Sequence, residues 1–411
     1  MSTNTPTWPP SSTEPSNWPP NGTTTNSCGC WTRSRRPRDR PVPPAGSPHA
    51  RAAQAARAAP PAPRRRRHTR RGRGRRRPHR QSLYFFASAD AVAAPEYYRF
   101  VLDAARQADT AGLHAVWLPE RHFVDFGGHS PNPAVLAAAV AVHTERIEIR
   151  AGSVAAPLHH PARIAEDWSV VDNLSGGRAG LSFASGWHPD DFVLARTDYT
   201  RRRADTLRIV DQVRAHWRGE RVSHPTTAGG TAAVRTGPAP VRRELPVWLT
   251  SAGNPQTFAS AAQAGLGVMT ALLGQTMPQL RQNIAHYRET WRSAGHPGEG
   301  DVVVMVHAYV SDRDDLEEFL RPAMHGYLRA YRNQTTAPGE DEKLLLESAY
   351  LNYLAGPSLL GPPAKATAVL GELREAGADE VGFLVDFGLP TDEVLSALPA
   401  LFACLPAERE R

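Results

Sequence analysis

From residue 82 onward the chain alternates short apolar runs with longer stretches in which apolar side chains recur at helical spacing. The runs are residues 82–87 (SLYFFA), 114–118 (HAVWL), 147–153 (IEIRAGS), 179–184 (AGLSFA), 247–250 (VWLT), 267–271 (GVMTA), 302–310 (VVVMVHAYV) and 380–387 (EVGFLVDF). Between them, Tyr97, Phe100, Val101, Ala104, Ala105 and Ala108 fall on one helical face, and Leu207, Val210, Val213 and Trp217 do so later. Runs that are apolar on both faces fit buried parallel strands. Eight of them alternating with helices predict an α/β fold, a (β/α)8 TIM barrel with insertions, since that fold usually needs ~250 residues. The excess sits in residues 221–245, rich in Pro, Gly and Thr, which predicts a hairpin-like excursion, and in 311–361, which predicts extra helices. An open doubly wound sheet would carry Gly-x-Gly-x-x-Gly after its first strand, and here no glycine follows residue 82 until Gly112.

Composition changes the picture at the front. Residues 1–80 are rich in Pro, Ser, Thr, Asn, Ala and Arg, with almost no aliphatic side chains. Such a segment cannot bury enough surface to offset its ordering entropy, so it is expected to be a disordered basic tail, and residues 81–411 the barrel domain. The tail holds 18 arginines against Glu14 and Asp39, net +16, so the overall +7 leaves −9 for residues 81–411. The sequence pI of about 9.6 therefore describes neither part, and nucleic-acid binding by the body loses its support. The arginine block at 64–80 would bind any polyanion by counterion release, although a run of like charge is usually only solvated; a linker or a mis-assigned start is the preferred reading. Cys28, Cys30 and Cys404 are odd in number and allow neither a disulfide framework nor four-ligand zinc spacing. No run of ~18 apolar residues suggests a membrane span, and the expectation is a cytoplasmic protein.

In such barrels the chemistry lies at the carboxyl ends of the strands. There the sequence places Glu120, Arg121, His122 and Phe123 after the second run, Gly152 and Ser153 at the end of the third, and Ser185, Gly186, Trp187 and His188 after the fourth. After the fifth come Ala252, Gly253, Asn254, Pro255 and Thr257. Asn254 as a helix cap with Pro255 behind it makes a helix amino end, a ready phosphate site, or equally an ordinary capped helix. Histidines are plentiful at these ends (His122, His129, His159, His160, His188, His307), but the first run has no His-x-His pair. His159 and His160, being adjacent, would point oppositely on an extended segment. No metal site is expected.

Six segments carry a resemblance: SLYFFAS (82–88), VWLPERHF (116–123), FGGHSPNP (126–133), RIEIRAGSVAAPLHHPARIAEDW (146–168), VVDNLSGGRAGLSFASGWHPDDF (170–192) and PVWLTSAGNPQTF (246–258), joined by AGADEVGFLVDFG near the end. In this order the chain resembles the bacterial luciferase-like flavin monooxygenases, most closely the natural-product assembly-line subgroup. The resemblance implies reduced FMN held at the carboxyl end of the barrel, where it reacts with O2 to give a flavin peroxide. It implies a non-prolyl cis peptide supporting the flavin ring, here Gly152–Ser153, and phosphate contacts at Ala252, Gly253 and Thr257, with Ser185 and Gly186 beside the cofactor. Two departures stand out. The catalytic histidine of the luciferases aligns with Arg121, with His122 retained next to it, and their phosphate arginine aligns with Ser185, so another arginine or the backbone must meet the phosphate.

On chemical grounds His122 and His188 are candidates for proton transfer, imidazole being the side chain whose ordinary pKa lies near neutrality. Arg121 would orient an anion or the flavin carbonyls. Phe85, Phe86, Phe123, Phe126 and Trp187 could supply apolar walls or simply pack the core. The missing dinucleotide fingerprint suggests that a separate flavin reductase supplies reduced FMN. The expected substrate is a small molecule, free or tethered to a carrier protein, from a nonribosomal peptide or polyketide pathway, and the resemblance favours a homodimer. Two alternatives stay open: a deazaflavin-dependent oxidoreductase on the same barrel, and a non-catalytic flavin-binding protein.

Overall fold

A computed structural model describes residues 79–86, 92–124, 126–127, 129–195, 197–333 and 342–404. The expected tail lies outside the described residues except for His79 and Arg80, as do residues 87, 88 and 128 of the motifs above.

Eight parallel strands form a closed barrel: β1 (Arg80–Tyr84), β2 (Ala115–Leu118), β3 (Glu148–Ala155), β4 (Ala179–Ala184), β5 (Val247–Ser251), β6 (Gly267–Ala271), β7 (Val302–Val310) and β8 (Glu380–Leu384). They neighbour one another in chain order, and β8 closes the ring by pairing with β1 (Glu380 opposite Arg80). The TIM-barrel expectation thus holds, each apolar run supplying one strand. The helices are α1 (Ala94–Ala111), α2 (Pro133–His143), α3 (Pro161–Ser175), α4 (Arg202–Trp217), α5 (Pro255–Gln263), α6 (Met277–Ser293), α7 (Leu316–Asn333), α8 (Glu342–Ala355), α9 (Pro363–Ala376) and α10 (Thr391–Ala403). Their ends follow local chemistry. Asn132 caps α2 through the amides of Ala134 and Val135, Thr276 and Gln279 form a capping box on α6, and Gly112 ends α1 in the left-handed region (φ 79°).

The two insertions take the expected forms. Val222–Pro225 pairs antiparallel with Thr231–Val234, and α7 and α8 follow β7 before a short strand, Leu359–Gly361, returns to β7. Among the described residues, no helix is long and apolar enough to cross a membrane.

The strands are less uniformly apolar than their sequence suggests. Their outer faces, Leu83, Val116, Ile149, Leu181, Val268, Val304 and Phe383, pack in the core. At the amino-terminal end, however, the buried residues include Ser82, Trp117, Arg150, Trp248 and Glu380. Arg150 lies between the rings of Trp117 and Trp248, 4.8 and 4.4 Å from their centroids, and donates to both oxygens of Glu380 (2.9 and 3.1 Å) and to Glu148. Trp117 Nε1 donates to Ser82 Oγ and Glu380 Oε1. Arg80 also belongs to this network, donating to Asp301 and lying 3.7 Å from Glu380, so the first strand starts on the last residue of the arginine-rich block. A buried carboxylate surrounded by cations and donors is tolerable where an isolated one would not be.

Candidate active site

At the carboxyl ends of the strands opens a cavity of about 390 Å³, within the size range of small-molecule sites. One side of its wall is backbone. Gly152 and Ser153 line it, the peptide between them is cis, and the β3–β4 register shifts between Gly152 and Val154, leaving Ser153 unpaired. The Tyr84 hydroxyl donates to the Gly152 carbonyl. A Cβ on Gly152 would meet Tyr84 Cε2 at 2.9 Å and Trp117 Cβ at 3.1 Å, so only glycine permits this approach of strand to ring. Ser185 and Gly186 continue the wall after β4.

A second side is cationic and amide-rich. Ala252, Asn254 and Thr257 line the cavity where α5 begins, and the Asn254 side chain accepts from the Gln256 amide, capping the helix as its sequence predicted. Facing the same cavity are Arg202 and Arg203 in the first turn of α4. The Arg202 guanidinium stacks on Tyr199 at 3.8 Å and donates to its carbonyl, while its buried Nε has no protein partner. These two arginines were missed at the sequence level. Their signal was there: Arg201, Arg202 and Arg203 crowd a helix amino end, where the helix dipole favours acids and disfavours cations.

The third side carries the ionisable groups. Arg121 is buried, its guanidinium 5.1 Å from the Trp187 ring and 5.9 Å from Phe86, with Nε donating to the Phe126 carbonyl. His122 also lines the cavity, and its Nε2 lies 2.9 Å from Glu120 Oε1. The same oxygen is 2.7 Å from His159 Nε2, and Glu120 Oε2 accepts from the Ala155 amide at 3.0 Å. Burial alone would raise the Glu120 carboxyl, but the hydrogen bonds from His122, His159 and Ala155 and the charge of His159 hold it below its ordinary value. Burial likewise opposes charge on His159, yet the bond to Glu120, the Glu120 charge and Asp167 together raise its pKa. The donor atoms of Glu120, His122 and His159 lie within 4.8 Å of one another. Hydrogen bonds within the trio account for that spacing, and 39 residues of separation hid it from the sequence. His160 turns the other way from His159, its Nδ1 accepting from the Ala162 amide at the start of α3.

The rest of the wall is aromatic and apolar: Phe86, Phe126 and Trp187, with Met269, Met305, Tyr327 and Tyr331. Phe126 meets Tyr327 edge-on at 4.9 Å and Trp187 meets Tyr331 at 5.9 Å, so inserted helix α7 contributes part of the site. Of the candidate aromatics, Phe85 is instead buried against Phe100, and Phe123 is 63% exposed at a φ of 56°.

Eight of the ten predicted site residues share this one cavity: Arg121, His122, Gly152, Ser153, Ser185, Gly186, Ala252 and Thr257. Two do not line it. His188 caps the short 3-10 helix Pro189–Leu194 through the Asp190 amide, and Gly253 faces away, its carbonyl accepting from Asn283.

Comparison with known proteins identifies relatives of the whole barrel. The family model of luciferase-like monooxygenases matches residues 81–380. The oxygenase component of a flavin-dependent trigonelline monooxygenase from Acinetobacter baylyi is 21% identical over 323 residues, 75% of this chain and 89% of that protein. Among solved structures, monooxygenase RslO1 from Streptomyces bottropensis superposes with a TM-score of 0.68 at 24% identity, covering 79% of this chain and 98% of the other. The oxygenating constituent of the 3,6-diketocamphane monooxygenase of Pseudomonas putida, a type II Baeyer–Villiger enzyme in complex with FMN, gives 0.65 at 18%, covering 80% and 98%. An F420-dependent secondary alcohol dehydrogenase gives 0.60 at 18%, covering 79% and 99%. At these identities the structural likeness speaks for the fold alone.

Proposed function

The chain belongs to the luciferase-like monooxygenase family, and on that footing we propose that it is the oxygenase half of a two-component flavin system, taking reduced FMN from a separate reductase and using O2 to oxygenate an intermediate of nonribosomal peptide or polyketide biosynthesis. The observation that carries this reading is that the Gly152–Ser153 backbone and the Arg202, Arg203 and α5 cluster line a single cavity. The unpartnered Arg202 Nε suits an anion, and the glycine-floored wall suits a flat ring system. Reduced flavin supplies the oxygen chemistry when bound, and the protein's own task is to orient it, keep water out and manage protons. Ser153, Ser185 and Gly186 would lie against the ring, and Ala252 and Thr257, with the arginines, beside the phosphate. His122 would hold or move a proton at Nδ1. Arg121, pinned between aromatic rings, would orient the substrate or the flavin carbonyls, while the Met and Tyr wall shields the reacting centre. His188, half-buried and engaged in capping a 3-10 helix, stays a candidate for proton transfer outside the cavity lining. The assembly-line substrate class rests on the motif resemblance.

Anaerobic titration with reduced FMN, riboflavin and reduced deazaflavin, followed by admission of oxygen, tests the reading. Saturable binding of reduced FMN, with oxygen uptake altered from that of free flavin, is expected. Arg202→Ala should weaken FMN roughly ten- to hundredfold, the worth of a charged hydrogen bond, and leave riboflavin, which lacks the phosphate, unchanged. Preference for the deazaflavin would turn the assignment to hydride transfer without oxygen.

A homodimer is part of the same proposal. Helix α2 is apolar all round, with Val135 and Val142 each 69% exposed, and the helix it packs against, α3, exposes Val170 and Leu174. Such a face on a folded surface marks an interface. Light scattering should return twice the chain mass, and Val142→Glu should halve it; a monomeric wild-type protein would reject the dimer.

A further inference from the structure

Glu120 has no assigned part in the reaction, yet its surroundings are unusual. Its side chain is 1% exposed, and a single oxygen meets two imidazoles, one 10% exposed on the cavity (His122) and one 30% exposed on the outer side (His159). An ionised carboxylate only accepts hydrogen bonds. Each ring nitrogen facing it must therefore carry a hydrogen, so a neutral His122 has its proton on Nε2 and its lone pair on Nδ1. The Ala155 amide ties the other carboxylate oxygen to the end of β3, which fixes the carboxyl plane and with it the ring. An oxygen partner that sets tautomer and orientation in this way is the device that carboxylates supply to ligating and catalytic histidines elsewhere.

We infer that Glu120 is a positioning residue of this site: it keeps the Nδ1 lone pair of His122 for the cavity, its carboxyl plane held by His159 on the shared oxygen and by the Ala155 amide on the other. This rests on the function proposed above. Beyond the trio, Asp167 of α3 acts on His159, and Asp191 and Arg121 stand near His122. No proton leaves the trio in this account, because the carboxylate stays ionised throughout.

Full-length protein carrying 15N-labelled histidine, without flavin, is the test. Long-range proton–nitrogen correlation should find neutral His122 as the Nε2–H tautomer in wild type and as a mixture in Glu120→Gln. With reduced FMN and substrate, Glu120→Gln should lower kcat roughly 10- to 100-fold, the usual effect of losing such a partner, at nearly constant FMN affinity, with partial recovery in Glu120→Asp. His159→Gln, which keeps a donor toward the shared Glu120 oxygen, should leave the His122 tautomer as in wild type. A wild-type Nδ1–H tautomer overturns the inference, as does Glu120→Gln with tautomer and kcat both unmoved. So does one equivalent of divalent metal retained by wild type and lost from Glu120→Gln, which would make the trio a ligand set. If Glu120→Gln does not fold, the wild-type tautomer and its persistence in His159→Gln decide. The expected tautomer in a protein that fails to bind FMN would sink the flavin reading and leave the positioning role standing.

Discussion

His122→Ala is expected to lower product formed per reduced FMN supplied by two to four orders of magnitude, the range for loss of a positioned proton-transfer group, while FMN binds with nearly unchanged affinity. The two effects separate because His122 follows β2, whereas the residues proposed for the phosphate, Arg202, Arg203 and Thr257, line the same cavity from α4 and α5. Alanine at this position also leaves Glu120 with only His159 and the Ala155 amide, so some loss of stability accompanies the loss of rate. His122→Gln, which retains a donor toward Glu120 but cannot bind a second proton, distinguishes the causes. It should fold like wild type and stay slow. Unchanged turnover in either variant would remove His122 from the chemistry.

Arg150→Met is expected to destabilise the barrel by about 3–5 kcal/mol, the cost of leaving one buried charge without its partner. Burial pushes the Glu380 carboxyl up, but Arg150, Arg80 and His114 outweigh it and hold its pKa down at about 2. The linkage follows from that depression. Glu380 contributes stability that is complete above the ordinary glutamate pKa of ~4.3 and is lost as pH falls through about 2. In Arg150→Met, Arg80 at 3.7 Å is the guanidinium left near Glu380, with His114 Nε2 at 3.9 Å, and the two tryptophan rings lose the guanidinium between them. Urea unfolding at pH 7 measures the loss. The double variant Arg150→Met, Glu380→Gln should regain much of it, since an apolar or neutral replacement of the whole pair is often close to neutral. A single-variant loss below about 1 kcal/mol would mean that the pair is solvated and not the buried unit described.

How much of this could be read from the chain depends on which forces act locally. Strand positions were legible because a buried parallel strand must be apolar over a few consecutive residues, and all eight runs became strands. The Asn254 cap was legible because a cap is a contact between near neighbours. The Arg150–Glu380 pair was not, since 230 residues separate the partners and each sits inside a run that reads as apolar. Tyr327 and Tyr331 escaped notice for a different reason: they lie on an insertion, where barrel periodicity says nothing about which face turns toward the mouth. Gly253 has the right neighbours in sequence, but its backbone, at a φ of 95°, turns its carbonyl toward Asn283 instead of the cavity.

The Trp117, Arg150, Trp248 and Glu380 layer has a kinetic corollary. It fills the barrel at its amino-terminal end, so a flavin and an organic substrate bound as proposed would share the mouth at the carboxyl ends of the strands. Whichever molecule lies deeper enters first and departs last, and steady-state patterns should show a compulsory order instead of random arrival.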